Sequence, residues 1–273
     1  MSTSIHALVQ DLDRRWDEVT VLMSIAENLD YEDPKMIPLC KALTVLMIAN
    51  LEGYLQEVIK ALIADINDNS YFKRTHYNMK RTQCLQYIPD PQSNASHIKR
   101  LISKFEETDI KYDVSAFIYD RGKNPKLSII EKLYNSVGGN NFFGYISDCE
   151  IERIFENDRT YISEQVKKLR TNILSRTRSF PYTIDIRELG INTSPQTNKK
   201  DCLWSDFLDH ILKYRHFAAH GNEASPLSVL EIKVAFEKIK ILELLFTALI
   251  GETAIEIDNT NMGETMGENA NKC

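Results

Sequence analysis

The chain has 273 residues, 43% hydrophobic and 26% charged, with a formal net charge of −6 at pH 7. That length suits one large domain or two small ones, and the acid excess excludes a generally cationic, nucleic-acid-coating surface while leaving room for a local basic groove. Ten Gly and eight Pro are too few for a turn-rich all-β protein.

Cys40, Cys84, Cys149, Cys202 and Cys273 are scattered and form no C-x-x-C pair, which argues against a structural zinc site and for reduced thiols in a cytosolic protein. The N-terminus lacks the basic-then-apolar pattern of a signal peptide, and no uninterrupted apolar run of about 18 residues predicts a membrane span.

Residues 4–29 predict a first helix, with Ile5, Leu8, Val9, Leu12, Trp16, Val19, Leu22, Ile25 and Leu29 at near-helical spacing. Tyr31 to Pro34 break it. Residues 35–67 predict the longest helix. Leu43, Leu46, Met47, Leu51, Tyr54, Leu55, Val58, Ile59, Leu62 and Ile63 form its broad apolar stripe, which suits the middle of a bundle. Glu52 lies close to that stripe, either as a surface glutamate on its edge or as the partner of a cation on another helix, for which Arg215 is the candidate.

The middle of the chain is mixed. Lys73, Arg74, His76, Lys80 and Arg81 alternate with Tyr71, Phe72 and Tyr77, a basic and aromatic cluster that suits phosphate contacts and base stacking; a merely solvated face carries the same pattern. Residues 89–94 predict a turn, 95–106 and 125–137 short helices, and Tyr112 to Tyr119 a short strand or extended segment. Gly138 to Asn141 predict a loop; without a following G-K-[ST] it is no Walker loop. Residues 150–178 predict a further helix with Lys167, Lys168, Arg170, Arg176 and Arg178 on it, and 182–200 a polar loop.

Residues 201–220 carry the most unusual pattern. Trp204, Phe207, Leu208, Ile211 and Leu212 recur as one buried helical face. The next turn of that face brings Arg215, where Leu or Val would be ordinary, followed by His216, His220 and Gly221. Single cations near a helix C-terminus commonly just meet the dipole; the combination on an apolar helix is less ordinary. Ser225 and Pro226 predict the start of a last helix, apolar from Val229 to Leu249. The acidic tail beyond about residue 258 predicts disorder. The sum is an all-α fold: an up-and-down bundle of four to five helices with an insertion at about 70–200, one domain over 1–257, and a disordered tail at 258–273.

Arg215-His-Phe-Ala-Ala-His220 is an R-x-x-x-x-H motif, and Asn50-Leu-Glu-Gly-Tyr-Leu-Gln-Glu-Val-Ile59 is a long-helix segment with an embedded acid. Together they resemble the HEPN superfamily, in particular its MAE_28990/MAE_18760-like or RiboL-PSP-like families. The resemblance covers about 4–67 and 201–250. It implies a metal-independent endoribonuclease, often in toxin–antitoxin or antiphage systems, working as a homodimer whose motifs share a cleft. Some members have lost catalysis and act as binding or antitoxin modules.

RNA supplies its own nucleophile, the 2′-hydroxyl; cleavage needs a base, an acid and a cation at phosphorus. His220 is the candidate for proton transfer, Arg215 for the phosphorane-like charge and His216 for assistance, with Glu52 holding Arg215. Asn50, Tyr214 and Asn222 are supporting candidates, and Lys73, Arg74, Lys80 and Arg81 are candidates for RNA binding. No cofactor, metal or membrane is expected; the expected partners are RNA, a second copy and an antitoxin or defence protein, in the cytoplasm. Two other readings compete: a metal hydrolase, because His216 and His220 stand at i, i+4, although Phe217 replaces the Glu of H-E-x-x-H; and a non-catalytic helical module. One constraint applies to the nuclease. Residues five apart on an α-helix point about 140° apart, so Arg215 and His220 converge only if the helix unwinds near Gly221 or a second protomer completes the site.

Overall fold

The computed structural model describes residues 2–88, 95–118, 126–196, 202–220 and 226–254. Among these residues the fold is all-α, with no strand. The centre is α4, Met36–Asp68, in which Leu43, Met47, Leu51, Tyr54, Leu55, Val58, Ile59, Leu62 and Ile63 are fully buried. By length and composition α4 could cross a membrane; its apolar positions are instead those packed by α1 (Ser4–Gln10), α3 (Asp17–Glu27), α10 (Leu203–Ala219) and α11 (Val229–Thr253). Contacts advance together along α4 and α11: Leu227 lies by Thr44, and Thr247 bonds the Tyr54 hydroxyl at 2.9 Å. The two helices therefore run in the same sense. α10 runs against α11, with Phe207 under Lys238 and Phe217 beside Leu227.

The N-terminal stretch expected as one helix over 4–29 is three pieces: α1, then α2 (Leu12–Arg15), then α3. Arg170 is one cause. Its guanidinium donates to the carbonyls of Val9 and Gln10, the acceptors a continuous helix would use for residues 13 and 14. The start of α1 is held by Asp65 of α4, whose buried carboxylate accepts from the Ser4 and Ile5 amides at 2.6 and 3.0 Å and from the Tyr182 hydroxyl at 2.6 Å.

Beyond α4 come a 3-10 turn at Phe72–Arg74, α5 (Tyr77–Leu85), α6 (Ala95–Thr108), α7 (Leu127–Ser136) and α8 (Phe142–Ile146). The turn expected at 89–94 lies outside the described residues. The extended segment expected from Tyr112 is a 3-10 turn, Val114–Ala116. Asn67 satisfies both backbone groups of Tyr112, at 2.8 and 3.0 Å, so a side chain does the work of a partner strand. The helix expected over 150–178 divides into a 3-10 stretch, Glu150–Phe155, and α9, Arg159–Arg176, because Asp158 N-caps the latter by accepting from Tyr161. α9 packs against α11 and α1, inside the main core. The polar loop expected over 182–200 also reaches inward: Ile184, Ile186, Leu189 and Ile191 are buried around a 3-10 turn, Ile186–Leu189.

The last helix begins later than expected. Pro226 precedes it, Ser228 is the N-cap in a reciprocal capping box with Glu231, and Ser225 lies outside the described residues. The tail expected to be disordered also lies outside them. One continuous core runs from Ile5 to Ala254, with a satellite of Cys84, Ile88, Ile98 and Ile102 joining α5 to α6.

Candidate functional site

α10 is cut into two chemical faces. Trp204, Leu208, Ile211 and Leu212 are buried. Eleven residues on from Trp204, Arg215 returns to within about 20° of it around the axis, so Arg215 extends the core face and is half-buried. His216 and His220 are exposed. Their rings lie 4.4 Å apart, centroid to centroid.

The helix stays regular to its end. His220 is the C-cap, and its amide still donates to the His216 carbonyl at 3.1 Å. No unwinding up to His220 swings it toward Arg215, and the two side chains leave the axis about 140° apart. The expectation that the helix distorts at Gly221 lies outside the described residues, as does Asn222.

The C-terminal turns of α10 pack on the N-terminal half of α4. Tyr214, Phe217 and Ala218 line a small crevice with Lys41, Thr44, Pro226 and Leu227. Glu52 shares a face with Lys41 about three turns further along α4 and is half-buried, lining a cleft with Ala49, Gly53, Gln56, Glu57 and Lys60. Glu52 and Arg215 therefore sit on helices that pack together. Asn50 is half-buried on the same helix, about 200° around from Glu52.

The expected RNA-binding cluster is elsewhere. Lys73 and Arg74 follow the C-terminal end of α4, and Thr44 to Asp68 alone span ~35 Å of helix. Lys73, Arg74 and Arg81 are exposed, with Arg74 held over the Tyr71 ring at 5.4 Å. Lys80 is a correction. Its side chain is buried, and its ammonium donates to Glu106 at 2.8 Å and to the Lys73 carbonyl at 2.6 Å. It joins α5 to α6 and offers nothing to a phosphate.

Along α10 the structure adds residues that the sequence reading left unassigned. His210, Lys213 and Phe217 stand near Tyr214, at centroid distances of 4.9 Å for His210–Tyr214 and 6.3 Å for Tyr214–Phe217. The Lys213 ammonium lies 5.8 Å from the Phe217 ring centre. The signal was present as a second i, i+3, i+4, i+7 series beside the core stripe. Beneath His210, the Glu231 carboxyl is held below its usual range, chiefly by hydrogen bonds from the Ser228 amide and hydroxyl and less by the charge of His210. Among the described residues, no group of three His, Cys, Asp or Glu converges as a metal cluster.

A cavity of ~570 Å³ lies at the opposite end of α10, between Leu127, Glu131, Phe143, Gly144, Cys202 and Ser205. Glu131 is committed there to capping α8, accepting from the Phe142 and Phe143 amides at 3.0 and 3.2 Å. Burial pushes the Cys202 thiol above its ordinary value, which disfavours the thiolate a nucleophile needs.

Compared with known families, residues 10–157 match the family described as RiboL-PSP-HEPN, 148 of the 273 residues. The match takes in α2 to α8 and stops short of α9 and of Arg215–His220. No curated protein and no solved structure matches the chain.

Proposed function

The chain belongs to the RiboL-PSP-HEPN family, and from that premise we propose that it is a metal-independent endoribonuclease acting at the C-terminal end of α10. Family membership supports an RNA-related role. The observation that carries the catalytic reading is the exposed His216–His220 ring pair at 4.4 Å, in a protein whose core helices place it at the end of the bundle.

In this reading the 2′-oxygen attacks phosphorus as a histidine removes its proton. The bond to the 5′-oxygen breaks, a histidine returns a proton to that oxygen, and a 2′,3′-cyclic phosphate remains. His220 is the principal proton carrier and His216 assists. Arg215 supplies the guanidinium that stabilises the charge gathering on the phosphoryl oxygens, with Glu52 positioning it.

The two faces of α10 shape this proposal. Arg215 follows the core face and His220 the solvent face, so a complete constellation forms where two copies meet end to end at α10. A homodimer is therefore part of the reading, as is a cytoplasmic toxin or antiphage setting with an antitoxin or defence protein as partner.

A second reading rests on the same geometry. With Arg215 extending the buried face, the motif can serve as a helix-end anchor in a non-catalytic binding or antitoxin module. Incubating the protein with labelled RNA in EDTA separates the two. Cleavage to 2′,3′-cyclic ends, lost in folded Arg215→Ala and His220→Ala variants, supports the nuclease. Intact RNA across varied sequences supports the module.

A further inference from the structure

We propose that the cavity at the N-terminal end of α10 binds a small organic anion, with Lys132, Ser128 and Ser205 meeting its charged head and Leu127 and Phe143 its apolar body. The site lies at the far end of α10 from His216 and His220 and goes beyond the ribonuclease reading.

The cavity holds ~570 Å³, within the range of small-molecule sites. Its walls come from α7, α8 and the first turn of α10, and their own hydrogen bonds brace them. Glu131 of α7 accepts from the Phe142 and Phe143 amides that open α8. The Ser147 hydroxyl donates to the Phe143 carbonyl at 2.5 Å, and the Gln196 amide donates to the Gly144 carbonyl at 2.8 Å. Asn141 precedes α8 in the left-handed region, with φ 58°, and its carboxamide donates to the Gln196 carbonyl at 3.0 Å. That close approach requires glycine at 144, where a Cβ would collide with the Asn141 amide nitrogen and stand 2.7 Å from the Gln196 oxygen. A wall fixed in this way is preorganised, so a ligand loses little to ordering the site.

The polar groups left over favour an anion. Among the described residues Lys132 pairs with no carboxylate, and the hydroxyls of Ser128 and Ser205 make no hydrogen bond. Lys132 and Ser128 stand one turn apart on α7. On α10, Cys202 is the N-cap and supplies no side-chain cap bond, so the positive end of the helix dipole lies beside Ser205. Glu131 is the one carboxylate among the described lining residues, and the two α8 amides offset its charge. Glu152 takes the Leu203 amide, and burial raises its carboxyl toward the neutral form. A ligand that answers these groups has an anionic head for the ammonium and hydroxyls and an apolar body for the ring and methyl groups of Phe143 and Leu127.

The test titrates the full chain with two anions, anilinonaphthalene sulfonate by fluorescence and decanoate by calorimetry; the tighter one tells an aromatic from an aliphatic body. Phenylnaphthylamine, which has the rings and no charge, is the control. Saturable binding of an anion is expected, about tenfold tighter than the control, the scale of one charge-assisted hydrogen bond. Ser205→Trp fills the cavity and is expected to weaken the anion at least about tenfold, because the walls cannot yield to the added volume. The exposed Ser128→Trp takes its place in the test if circular dichroism shows that Ser205→Trp does not fold. Lys132→Gln is expected to weaken the anion about threefold, the scale of one exposed ion pair, and to leave the uncharged probe unchanged. No saturable binding of either anion, equal affinity for the uncharged probe, or parent affinity in a folded tryptophan variant would each overturn the site.

Discussion

Glu243 offers the sharpest quantitative test of the fold. It lies on α11 in the middle of the core, with no exposed surface. The indole nitrogen of Trp16 donates to one carboxyl oxygen at 3.0 Å, and the other oxygen has no hydrogen-bond partner. Burial is the largest influence and pushes the carboxyl up to about 8 from an ordinary 4.5, against smaller opposing effects of the Trp16 bond, Arg15 and Lys240. The folded protein therefore keeps Glu243 neutral at pH 7, while the unfolded chain ionises it. Below pH 4.5 both states hold the proton and the group has no effect on stability. Between 4.5 and 8 the folded state binds the extra proton, so its stability falls as pH rises, by about 1.4 kcal/mol per pH unit. Over the 2.5 pH units from 4.5 to 7 this amounts to ~3 kcal/mol. Glu243→Gln mimics the neutral acid, keeps an acceptor for Trp16 and removes the linkage. Thermal or urea unfolding across pH 5 to 8.5 should show the variant and the parent converging at the acid end, with the variant gaining ~3 kcal/mol by neutral pH. Parallel stability curves for the two proteins would refute the reasoning.

Other outcomes follow from the same contacts. Asp65→Ala orphans two amides and a tyrosine hydroxyl, and should cost ~2–4 kcal/mol in urea unfolding while raising amide exchange in α1 ahead of α4. Lys80→Met should destabilise by ~1–2 kcal/mol and leave RNA affinity unchanged, whereas Lys80→Met binding RNA more weakly while unfolding like the parent would restore it to the surface. Ser228→Ala removes the cap of α11 and should cost ~1 kcal/mol, read as a shift in the urea midpoint at constant slope.

Long, strongly apolar elements could be read from the chain because their signal is local. Thirty-three residues of α4 and twenty-five of α11 keep their stripes throughout. The breaks around Asp11 to Trp16 could not be read, because Arg170, which takes the Val9 and Gln10 carbonyls, lies about 160 positions away. Val114, Phe117 and Ile118 looked extended because a 3-10 turn buries residues at similar short spacings; Asn67, the side chain that settles Tyr112, belongs to α4. The start of α11 was misplaced by three residues because Ser225-Pro226 and Ser228 with Glu231 are both credible N-terminal signals, and only the second has its reciprocal bonds. At the candidate site the opposition of Arg215 and His220 was arithmetic and needed no coordinates. The inward turn of Lys80 was not, since Glu106 comes from another helix. His210, Tyr214 and Phe217 form a weaker series beside the buried stripe of Trp204, Leu208 and Ile211, because Tyr214 and Phe217 are only half-buried and His210 is exposed.

The central claim is that RNA is cleaved without metal where two α10 ends meet. Mixing the Arg215→Ala and His220→Ala proteins, unfolding and refolding them together, and assaying RNA cleavage in EDTA tests it most directly. A site built from Arg215 of one copy and His220 of the other is rebuilt once in each mixed dimer, so the mixture should recover about a quarter of the wild-type rate although neither variant cleaves alone. Wild-type cleavage with no recovery in the mixture would contradict the shared site. An inert wild-type protein in the same assay would contradict the nuclease itself.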